Sequence, residues 1–362
     1  MHAASHLQRE SILAFRARRH GIGERRPETD FLEVVAMCGV QDTPPGNADV
    51  SLAARLDIDR PVAAEAVAAK RLALTWSLRG APHLVVPEDL AVFTLGAVPE
   101  SGTRASLWRQ PEDALEVVER AMVKALRAPV TKAELSGKVT GSLPSELVPF
   151  CESCGVHHPK ESVFRAAPLL GRIVLTSTAP VVLARAKAWL GSDATGDLES
   201  LRTELLLRYM RRYAPTTSGH FADWAGITKT DAKRRWEAIG AAVVQTDRGF
   251  VLEEDLDEVR RGPSVEGVRL LPAKDGWLQA RDRDLLFPDK AQRSIVYRTI
   301  GGPGVVLVEG APAGVWRASA KGRRLAVRWR AFDGRAAVDI ESEAQRVAAA
   351  RGLAEAVVVG WE

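Results

Sequence analysis

Residues 214–252 have the sequence APTTSGHFADWAGITKTDAKRRWEAIGAAVVQTDRGFVL. Pro215 ends a preceding helical segment, and the Thr that opens Thr217–Ala225 is well placed to cap a short helix. After a Gly-Ile turn, a second Thr caps a helix over Thr228–Ile239, whose apolar residues share one face. The stretch therefore predicts two consecutive helices joined by a tight turn.

The end of this stretch predicts a β-hairpin. Ala242–Gln245 and Phe250–Leu252 are largely apolar runs on either side of a Thr-Asp-Arg-Gly turn. A further helix is predicted at Leu201–Arg212, so the order is three helices followed by a hairpin. This is the order of a winged helix-turn-helix, in which Thr228–Ile239 takes the position of the recognition helix.

An internal repeat indicates a second unit of the same kind. The pattern Ala-Pro-x-Thr-x-x-x-apolar-small begins at Ala128 and again at Ala214, and each copy follows a predicted helix. In the first copy we expect helices at Thr131–Gly137 and Ser142–Phe150 and a wing strand at Leu169–Thr176.

The segments that flank the repeat complete the predicted fold. Before it, helices are expected at His6–His20, Glu28–Gly39 and Pro61–Ser77, and a strand at His83–Pro87. From Val265 the apolar pattern changes to a period of two, which predicts strands. The predicted elements of this last part are strands at Val305–Val308, Gly314–Ala318 and Arg324–Arg330, a helix at Glu341–Arg351 and a strand at Ala356–Trp361.

The chain length fits this organisation, because 362 residues exceed two domains of roughly 150 residues each. We predict an α+β protein with tandem winged helix-turn-helix units followed by a small β-rich, barrel-like C-terminal domain. The predicted boundaries give three winged-helix units at 1–110, 111–197 and 198–262 and the C-terminal domain at 263–362.

The composition excludes several classes of protein. With 46% hydrophobic and 27% charged residues the chain can form packed cores, and three cysteines cannot supply a disulfide framework. No apolar run approaches the roughly 20 residues that cross a bilayer, and the N-terminus lacks a signal-peptide pattern. We therefore expect a soluble cytoplasmic protein that does not bind membranes.

The positive charge is unevenly distributed along the chain. The net charge is only +4, but residues 281–330 contain eleven lysine and arginine residues against four acidic ones, a local excess of seven. Phosphate binding requires such a local field. The pattern favours a nucleic acid as partner, and a solvated hairpin face is the alternative.

Several sequence blocks resemble the family of tandem winged-helix DNA glycosylases of the AlkZ and YcaQ type. The blocks are Cys38–Asp42, Thr75–Val85, Leu270–Asp275 and Arg281–Arg283, together with the helix-turn-helix in Arg208–Ile239 and the strands in Gly304–Arg317. The resemblance spans nearly the whole chain. It implies a concave DNA-binding surface and hydrolysis of the N-glycosidic bond of alkylated or cross-linked purines, without a cofactor for catalysis.

The family's catalytic signature is Gln-x-Gln or Gln-x-Asp after a Gly-apolar pair. Here Gly39-Val40-Gln41-Asp42-Thr43 supplies Gln41, but the third signature position holds Thr43 and the carboxylate is one residue early, as Asp42. The resemblance thus implies Gln41 and Asp42 as catalytic residues and Thr43 as a substrate contact. The alternative is an ordinary turn, in which Asp42 or Thr43 caps backbone amides.

Physical chemistry supports these residue types. A purine alkylated at N7 already carries positive charge, so it leaves through an oxocarbenium-like transition state without protonation. A Gln amide can orient the attacking water, and an adjacent carboxylate can accept its proton and stabilise the cationic sugar. We predict a monofunctional DNA glycosylase that acts as a monomer. Because of Thr43, the alternative is a catalytically silent DNA-binding or regulatory protein on the same scaffold.

Further basic residues are candidates for substrate and DNA contacts. Arg79 and His83 flank a Gly-Ala-Pro turn, where the first could bind a phosphate and the second could line a pocket near the lesion, although a lone His is often a satisfied strand residue. The remaining candidates are basic residues of the predicted recognition helix and of one face of a C-terminal strand: Lys229, Lys233, Arg234 and Arg235, and Arg324, Arg328 and Arg330. Each group has a solvated charged face as its alternative.

The run Cys151-Glu152-Ser153-Cys154-Gly155-Val156-His157-His158 has the composition of a structural zinc site. Cys151 and Cys154 would supply thiolates, and His157 or His158 an imidazole, because adjacent histidines do not easily both point inward. The alternatives are a plain loop and, for the whole protein, a zinc-stabilised interaction module. Cys38, beside Met37 on an apolar segment, is expected to be a buried small hydrophobic residue.

Overall fold

A computed structural model describes residues 6–333 and 339–361, which form a mixed α/β structure. The α-helices in this part of the chain, numbered in chain order, are α1 Arg9–Arg19, α2 Phe31–Ala36, α3 Asn47–Ala53, α4 Ala63–Ala68, α5 Leu90–Phe93, α6 Arg104–Trp108, α7 Ala114–Ala125, α8 Lys132–Thr140, α9 Glu161–Ala166, α10 Ala186–Leu190, α11 Leu198–Tyr213, α12 Ser218–Ala225, α13 Lys229–Glu237, α14 Leu256–Arg261, α15 Arg283–Leu286, α16 Lys290–Val296 and α17 Glu341–Ala350. None of these helices is long and apolar enough to cross a membrane.

The strands of the same residues are short except in the C-terminal part. They are β1 Arg26–Pro27, β2 Val40–Gln41, β3 Leu56–Asp57, β4 Ala73–Trp76, β5 Pro82–Val85, β6 Val130–Thr131, β7 Phe150–Cys151, β8 Val156–His157, β9 Ile173–Thr178, β10 Val181–Arg185, β11 Val243–Thr246, β12 Gly249–Leu252, β13 Val268–Leu271, β14 Gly304–Val308, β15 Ala311–Lys321, β16 Arg324–Ala331 and β17 Glu355–Val359.

The chain divides into two compact units, each built from separate stretches of sequence. Unit 1 comprises Met1–Ala63, Arg208–His220 and Ala241–Glu362, and unit 2 comprises Ala64–Leu207 and Phe221–Gly240. The domain boundaries predicted after residues 110, 197 and 262 stay predictions. The two compact units do not correspond to single winged-helix units, because each unit combines separate stretches of sequence.

Unit 2 contains an antiparallel sheet with the strand order β5-β4-β9-β10-β6. All four residues of β4 are buried, as are Ile173, Val174 and Leu175 of β9, so the centre of this sheet lies in the core of the unit. The predicted strand at Leu169–Thr176 is therefore present, and it is a central strand with neighbours on both sides.

Unit 1 contains a five-stranded C-terminal sheet in the order β13-β14-β15-β16-β17. The first three pairings are antiparallel, and β17 joins β16 in parallel after the helix α17. Helix α17 contacts both edge strands, β13 and β17, so the sheet curls around it. The β-rich C-terminal part predicted from the period-two pattern is confirmed in this coarse sense.

The predicted helix caps agree with the structure. Thr131 accepts a hydrogen bond from the Glu134 amide and forms a capping box at the start of α8. Thr217 accepts from the amide of His220 at 3.2 Å, and Thr228 from that of Asp231 at 3.1 Å. These bonds satisfy amides that the first helical turn leaves without partners. The predicted order of three helices, α11 to α13, followed by the hairpin β11–β12 is also confirmed.

Two predicted helices are wrong. Ser142–Phe150 forms only a single 3-10 turn before β7, because Pro144 and Pro149 restrict the backbone on both sides. Pro61–Ser77 is a helix only over α4. The chain reverses at Lys70, whose φ is +61°, and the buried apolar run that follows forms β4.

Two buried ion pairs tie distant segments of unit 1 together. Arg55 donates from both terminal nitrogens to the carboxylate of Asp275 at 2.9 and 2.8 Å, and its Nε donates to the carbonyl of His20 at 2.7 Å. Arg16 donates to the carboxylate of Asp282 at 2.9 and 2.6 Å. Burial alone would raise the pKa of Asp275, but the Arg55 guanidinium outweighs it, so the pKa is lowered.

We expect Asp275→Ala to lower the free energy of unfolding by about 3–5 kcal/mol, because it leaves a buried guanidinium without its partner. Because the pKa of Asp275 is lowered on folding, its contribution is present at neutral pH and is lost as the pH falls below the usual carboxyl range. Urea unfolding at neutral and acidic pH measures both effects.

The matched control is Glu28→Ala, which removes the partner of Arg60 from a solvent-exposed pair. This change should cost less than about 1 kcal/mol. Equal losses in the two variants would contradict the structural role of the buried pair.

Candidate active site and nucleic-acid interface

The predicted catalytic turn connects β2 to α3. Gln41 and Asp42 are only 9% and 8% exposed, whereas the residues at the tip of the turn, Pro44 to Gly46, are exposed to solvent. The tip is held by Gly46, whose φ of +86° is readily adopted only by glycine. The side chains of the signature are therefore set behind an exposed tip and are largely shielded from bulk solvent.

Asp42 caps helix α3. Its Oδ1 accepts hydrogen bonds from the amides of Gly46 at 2.8 Å and Ala48 at 3.1 Å. Asn47, the first residue of α3, donates from Nδ2 to the carbonyls of Thr43 at 3.1 Å and Ala273 at 2.8 Å. The helix cap by Asp42, which the sequence analysis gave as the alternative to a catalytic role, is thus present. The turn is also bonded to the segment that follows β13.

Gln41 and Thr43 differ from Asp42 in having unpartnered polar atoms. Within the described ranges, the Oε1 of Gln41 and the Oγ1 of Thr43 are buried and form no hydrogen bond. A buried polar atom without a partner costs on the order of 1–3 kcal/mol, so two such atoms in one turn indicate a position where a ligand or water supplies the missing bonds.

Asp49, on the first turn of α3, is a buried carboxylate that the sequence analysis did not identify. Its Oδ1 accepts from the amides of Val62 at 2.7 Å and Ala63 at 2.8 Å. Burial raises the pKa of Asp49, the two amide bonds oppose the rise, and the charge of Asp42 adds to it. The charge of Asp42 acts on Asp49, so two carboxyl groups lie close to each other at this turn. The sequence alone did not show this pairing.

Arg79 and His83 lie in unit 2, around a turn in which Arg79 adopts a left-handed conformation with a φ of +56°. The Arg79 guanidinium donates to the carbonyl of Trp224 and lines a cavity of about 530 Å³ together with Trp108 and Arg165. His83 is buried in β5, where its Nδ1 lies 2.9 Å from the carbonyl of Ala81. Burial lowers the pKa of His83 to about 4, so its imidazole is neutral at pH 7.

Helix α13 carries two kinds of basic residue. Lys229 and Lys233 are exposed, and Arg234 is exposed but forms an ion pair with Glu100. Arg235, expected from the sequence among the DNA contacts, is buried and donates to the carbonyls of Gly96 and Val98. That expectation is wrong for Arg235, because its guanidinium is buried and both terminal nitrogens bind backbone carbonyls.

The basic face predicted on the last long strand is present on β16. Leu325 and Val327 are buried, whereas the arginines alternate with them towards solvent. Arg324 forms an ion pair with Glu355 at 2.7 Å, and Arg330 lies over the ring of Trp361. Across residues 6–333 and 339–361, neither Arg328 nor Arg330 is paired with a carboxylate.

Comparisons with known proteins agree with the resemblance seen in the sequence. The family model for DNA glycosylase AlkZ-like proteins matches residues 34–350. The chain belongs to this family. A curated relative, the interstrand DNA cross-link repair glycosylase of Streptomyces sahachiroi, is 26% identical over 330 residues, which cover 84% of this chain and 86% of the relative. The expected family, the DNA glycosylase function and the enzyme class are confirmed by this membership.

A solved structure shows the same fold. The DNA glycosylase AlkZ of Streptomyces sahachiroi superposes with a TM-score of 0.75 at 23% identity, covering 97% of this chain and 99% of that protein. The mixed α/β architecture predicted for the AlkZ-like chain is therefore shared along nearly its whole length.

A second basic site of the AlkZ-like chain was missed by the sequence analysis. Arg283, Lys290, Arg293 and Tyr297 contribute to a cavity of about 460 Å³ in unit 1, and the Arg283 guanidinium lies 4.1 Å from the centre of the Tyr297 ring. The high local charge of residues 281–330 was the available signal. What it did not show is that α15 and α16 bring these residues together.

The cysteine-rich segment forms a small hairpin from β7 and β8 in unit 2. The ligand atoms of Cys151, Cys154 and His158 lie within 4.8 Å of one another. The Nδ1 of His157 instead lies 2.9 Å from the carbonyl of Val148. Hydrogen bonds from Ser153 and the Cys154 amide lower the pKa of Cys151 to about 6. Cys38 is half-buried, so the expected full burial of that thiol is only partly met.

We expect the double change Arg328→Ala and Arg330→Ala to weaken binding of duplex DNA uniformly across sequences. It should also reduce the log-log salt slope by about one to two units, because each neutralised phosphate contributes roughly 0.9. Affinity measured at several salt concentrations gives the slope directly.

Arg324→Ala is the matched control on the same face, since the charge of Arg324 is already balanced by Glu355. Its salt slope should stay close to that of the wild type. If the double variant also keeps the wild-type slope, the β16 face is not part of the DNA interface.

Proposed function

We propose that this chain is a monofunctional DNA glycosylase that hydrolyses the N-glycosidic bond of alkylated, bulky or cross-linked purines in double-stranded DNA. The observation that carries the proposal is the buried, unpartnered Oε1 of Gln41 in a turn at the family's signature position. The curated relative is named as an interstrand cross-link repair glycosylase, which supports a bulky or cross-linked purine as substrate.

Gln41 is proposed to orient the attacking water. The amide oxygen accepts a hydrogen bond from the water, and this satisfies the atom that has no partner in the protein. Because the leaving purine already carries positive charge, the protein needs to place the water and stabilise the cationic sugar, and no acid is required for the leaving group.

Asp42 is proposed to supply the negative charge. Its position is fixed because Oδ1 accepts from two amides at the start of α3. A carboxylate so fixed stabilises the developing oxocarbenium without having to reorganise, and it can accept the water's proton. The cap and the catalytic role are compatible, since an anion is also favoured at a helix N-terminus.

Thr43 is proposed as a second contact to the water or the sugar. Its Oγ1 is buried without a partner, and it lies two residues after Gln41 in the same turn. A hydroxyl can donate and accept a hydrogen bond but cannot act as a general base at neutral pH. Thr43 thus takes the family's third signature position without the amide or carboxylate of that position.

DNA binding is proposed to use the tandem winged-helix architecture with the predicted boundaries at 110, 197 and 262. Lys229, Lys233 and Arg330 are exposed and Arg328 is partly exposed, and these four are the candidates for phosphate contacts. The cavity lined by Arg283 and Tyr297 is proposed to bind one more phosphate. Arg234 and Arg324 contribute less because each pairs with a glutamate. Arg79 is proposed to border the substrate, and His83 to line a pocket near the lesion as a neutral imidazole.

Three further properties follow from the proposed reaction. Bond cleavage needs water and the side chains already named, so no cofactor takes part in catalysis. One chain is proposed to act on one lesion as a monomer. The DNA substrate places the proposed action in the compartment that holds the chromosome, which is the cytoplasm in a bacterium such as the source of the relatives.

We expect Gln41→Ala to reduce single-turnover base release from a duplex containing N7-methylguanine by about a hundredfold or more, because the attacking water loses the group that orients it. Asp42→Asn keeps an oxygen that can cap α3 but removes the charge, and should cause a comparable loss. Thr43→Val should reduce the rate by roughly tenfold, the value of one hydrogen bond. DNA affinity should change little in all three variants.

Gln110→Ala is the matched control, because the Oε1 of Gln110 is also buried and unpartnered but lies outside the turn. Its rate should equal that of the wild type. A wild-type rate in Asp42→Asn would assign Asp42 to the cap alone. Thr43→Asp restores a carboxylate at the family's third signature position. If the wild type and Thr43→Asp both bind DNA but release no base, the protein is the catalytically silent DNA-binding alternative.

A further inference from the structure

The hairpin formed by β7 and β8 lacks an apolar core. Its strands have two residues each, with Phe150 opposite His157 and Cys151 opposite Val156. Phe150 and Val156 are 56% and 53% exposed, so they contribute little burial to its stability. A two-stranded hairpin of this size is marginally stable in water without a cross-link or further packing.

The tip of the hairpin directs both sulfurs to one point. The amides of Cys154 and Gly155 donate to the carbonyl of Cys151 at 3.2 and 2.8 Å, which closes a tight turn. The Ser153 hydroxyl lies 3.1 Å from the sulfur of Cys151 and 3.9 Å from that of Cys154. The two thiols therefore face the same small volume.

His158 completes the group. Its Nδ1 lies 2.8 Å from the carbonyl of Pro159, an arrangement in which Nδ1 carries the proton and Nε2 keeps its lone pair. Histidines that bind metals commonly donate their other ring nitrogen to a carbonyl in this way. His157 is turned towards Val148 and stacks edge-on against Phe150, so the two adjacent histidines have different roles.

We propose that Cys151, Cys154 and His158 bind a zinc ion that stabilises the hairpin. Two thiolates and one imidazole are ligands that zinc prefers, and a water completes the tetrahedron. Ligand atoms around tetrahedral zinc are about 3.7 Å apart, and the three atoms are already within 4.8 Å of one another. Small side-chain rotations close the remaining distance. The site is independent of the proposed glycosylase reaction.

The first test is the metal content of the full chain, purified under reducing conditions without chelator. We expect about one equivalent of zinc per chain by elemental analysis, and a chelator should lower the melting temperature reversibly. His158→Gln should lose most of the metal. His157→Gln is the matched control and should keep it.

Cobalt provides a second readout that does not depend on how the variants fold. Reduced, metal-free wild type titrated with Co²⁺ should develop the intense visible bands of tetrahedral thiolate coordination, with an end point of about one equivalent. Zinc should then abolish these bands. Base release by the wild type should be unaffected by either metal.

Three outcomes would overturn the proposal. One is a reduced wild-type protein that contains no zinc and gives no cobalt spectrum. Another is a full equivalent of zinc in Cys151→Ser combined with Cys154→Ser, which would place the metal elsewhere. The third is a Cys151–Cys154 disulfide that persists in protein isolated under reducing conditions, which would identify the pair as a redox bridge.

Discussion

The bonds between the turn at residues 41–46 and the C-terminal part of unit 1 are the constraint on which the proposed active site depends. Asn47 donates to the carbonyl of Ala273, and Arg55, just beyond α3, forms a buried bidentate pair with Asp275. These residues are more than 200 positions apart in sequence. The cap at Asp42 fixes the turn locally, and the bond from Asn47 to Ala273 anchors it to a segment that lies far along the chain.

Much of the chain's basicity serves its structure. Arg16, Arg55 and Arg235 are buried and bind carboxylates or backbone carbonyls, and they are unavailable to DNA. Exposed basic residues, such as those on α13 and β16 and those that line the cavity between α15 and α16, keep their charge available to phosphates. Sequence counts of lysine and arginine therefore overestimate a DNA interface unless burial and ion pairing are subtracted.

Local patterns in the sequence predicted the elements correctly where local forces decide them. Thr131, Thr217 and Thr228 cap helices because a Thr hydroxyl satisfies a free amide within three residues. The predictions failed where tertiary packing decides. The burial of Arg235 depends on carbonyls at Gly96 and Val98, more than 130 residues away. In the turn, the resemblance to the family identified Gln41 as a candidate, but only the structure shows that Asp42 caps α3 while Gln41 and Thr43 have unpartnered atoms.

The most direct test of the account is a reaction of the wild-type chain with N7-methylguanine duplex DNA in water enriched in ¹⁸O, followed by mass analysis of both products. Hydrolysis by a water held at Gln41 predicts free 7-methylguanine and an intact strand whose abasic sugar carries ¹⁸O at C1′, trapped by reduction before it exchanges. Tight DNA binding with no release of the base, or a strand covalently linked to the protein, would contradict it.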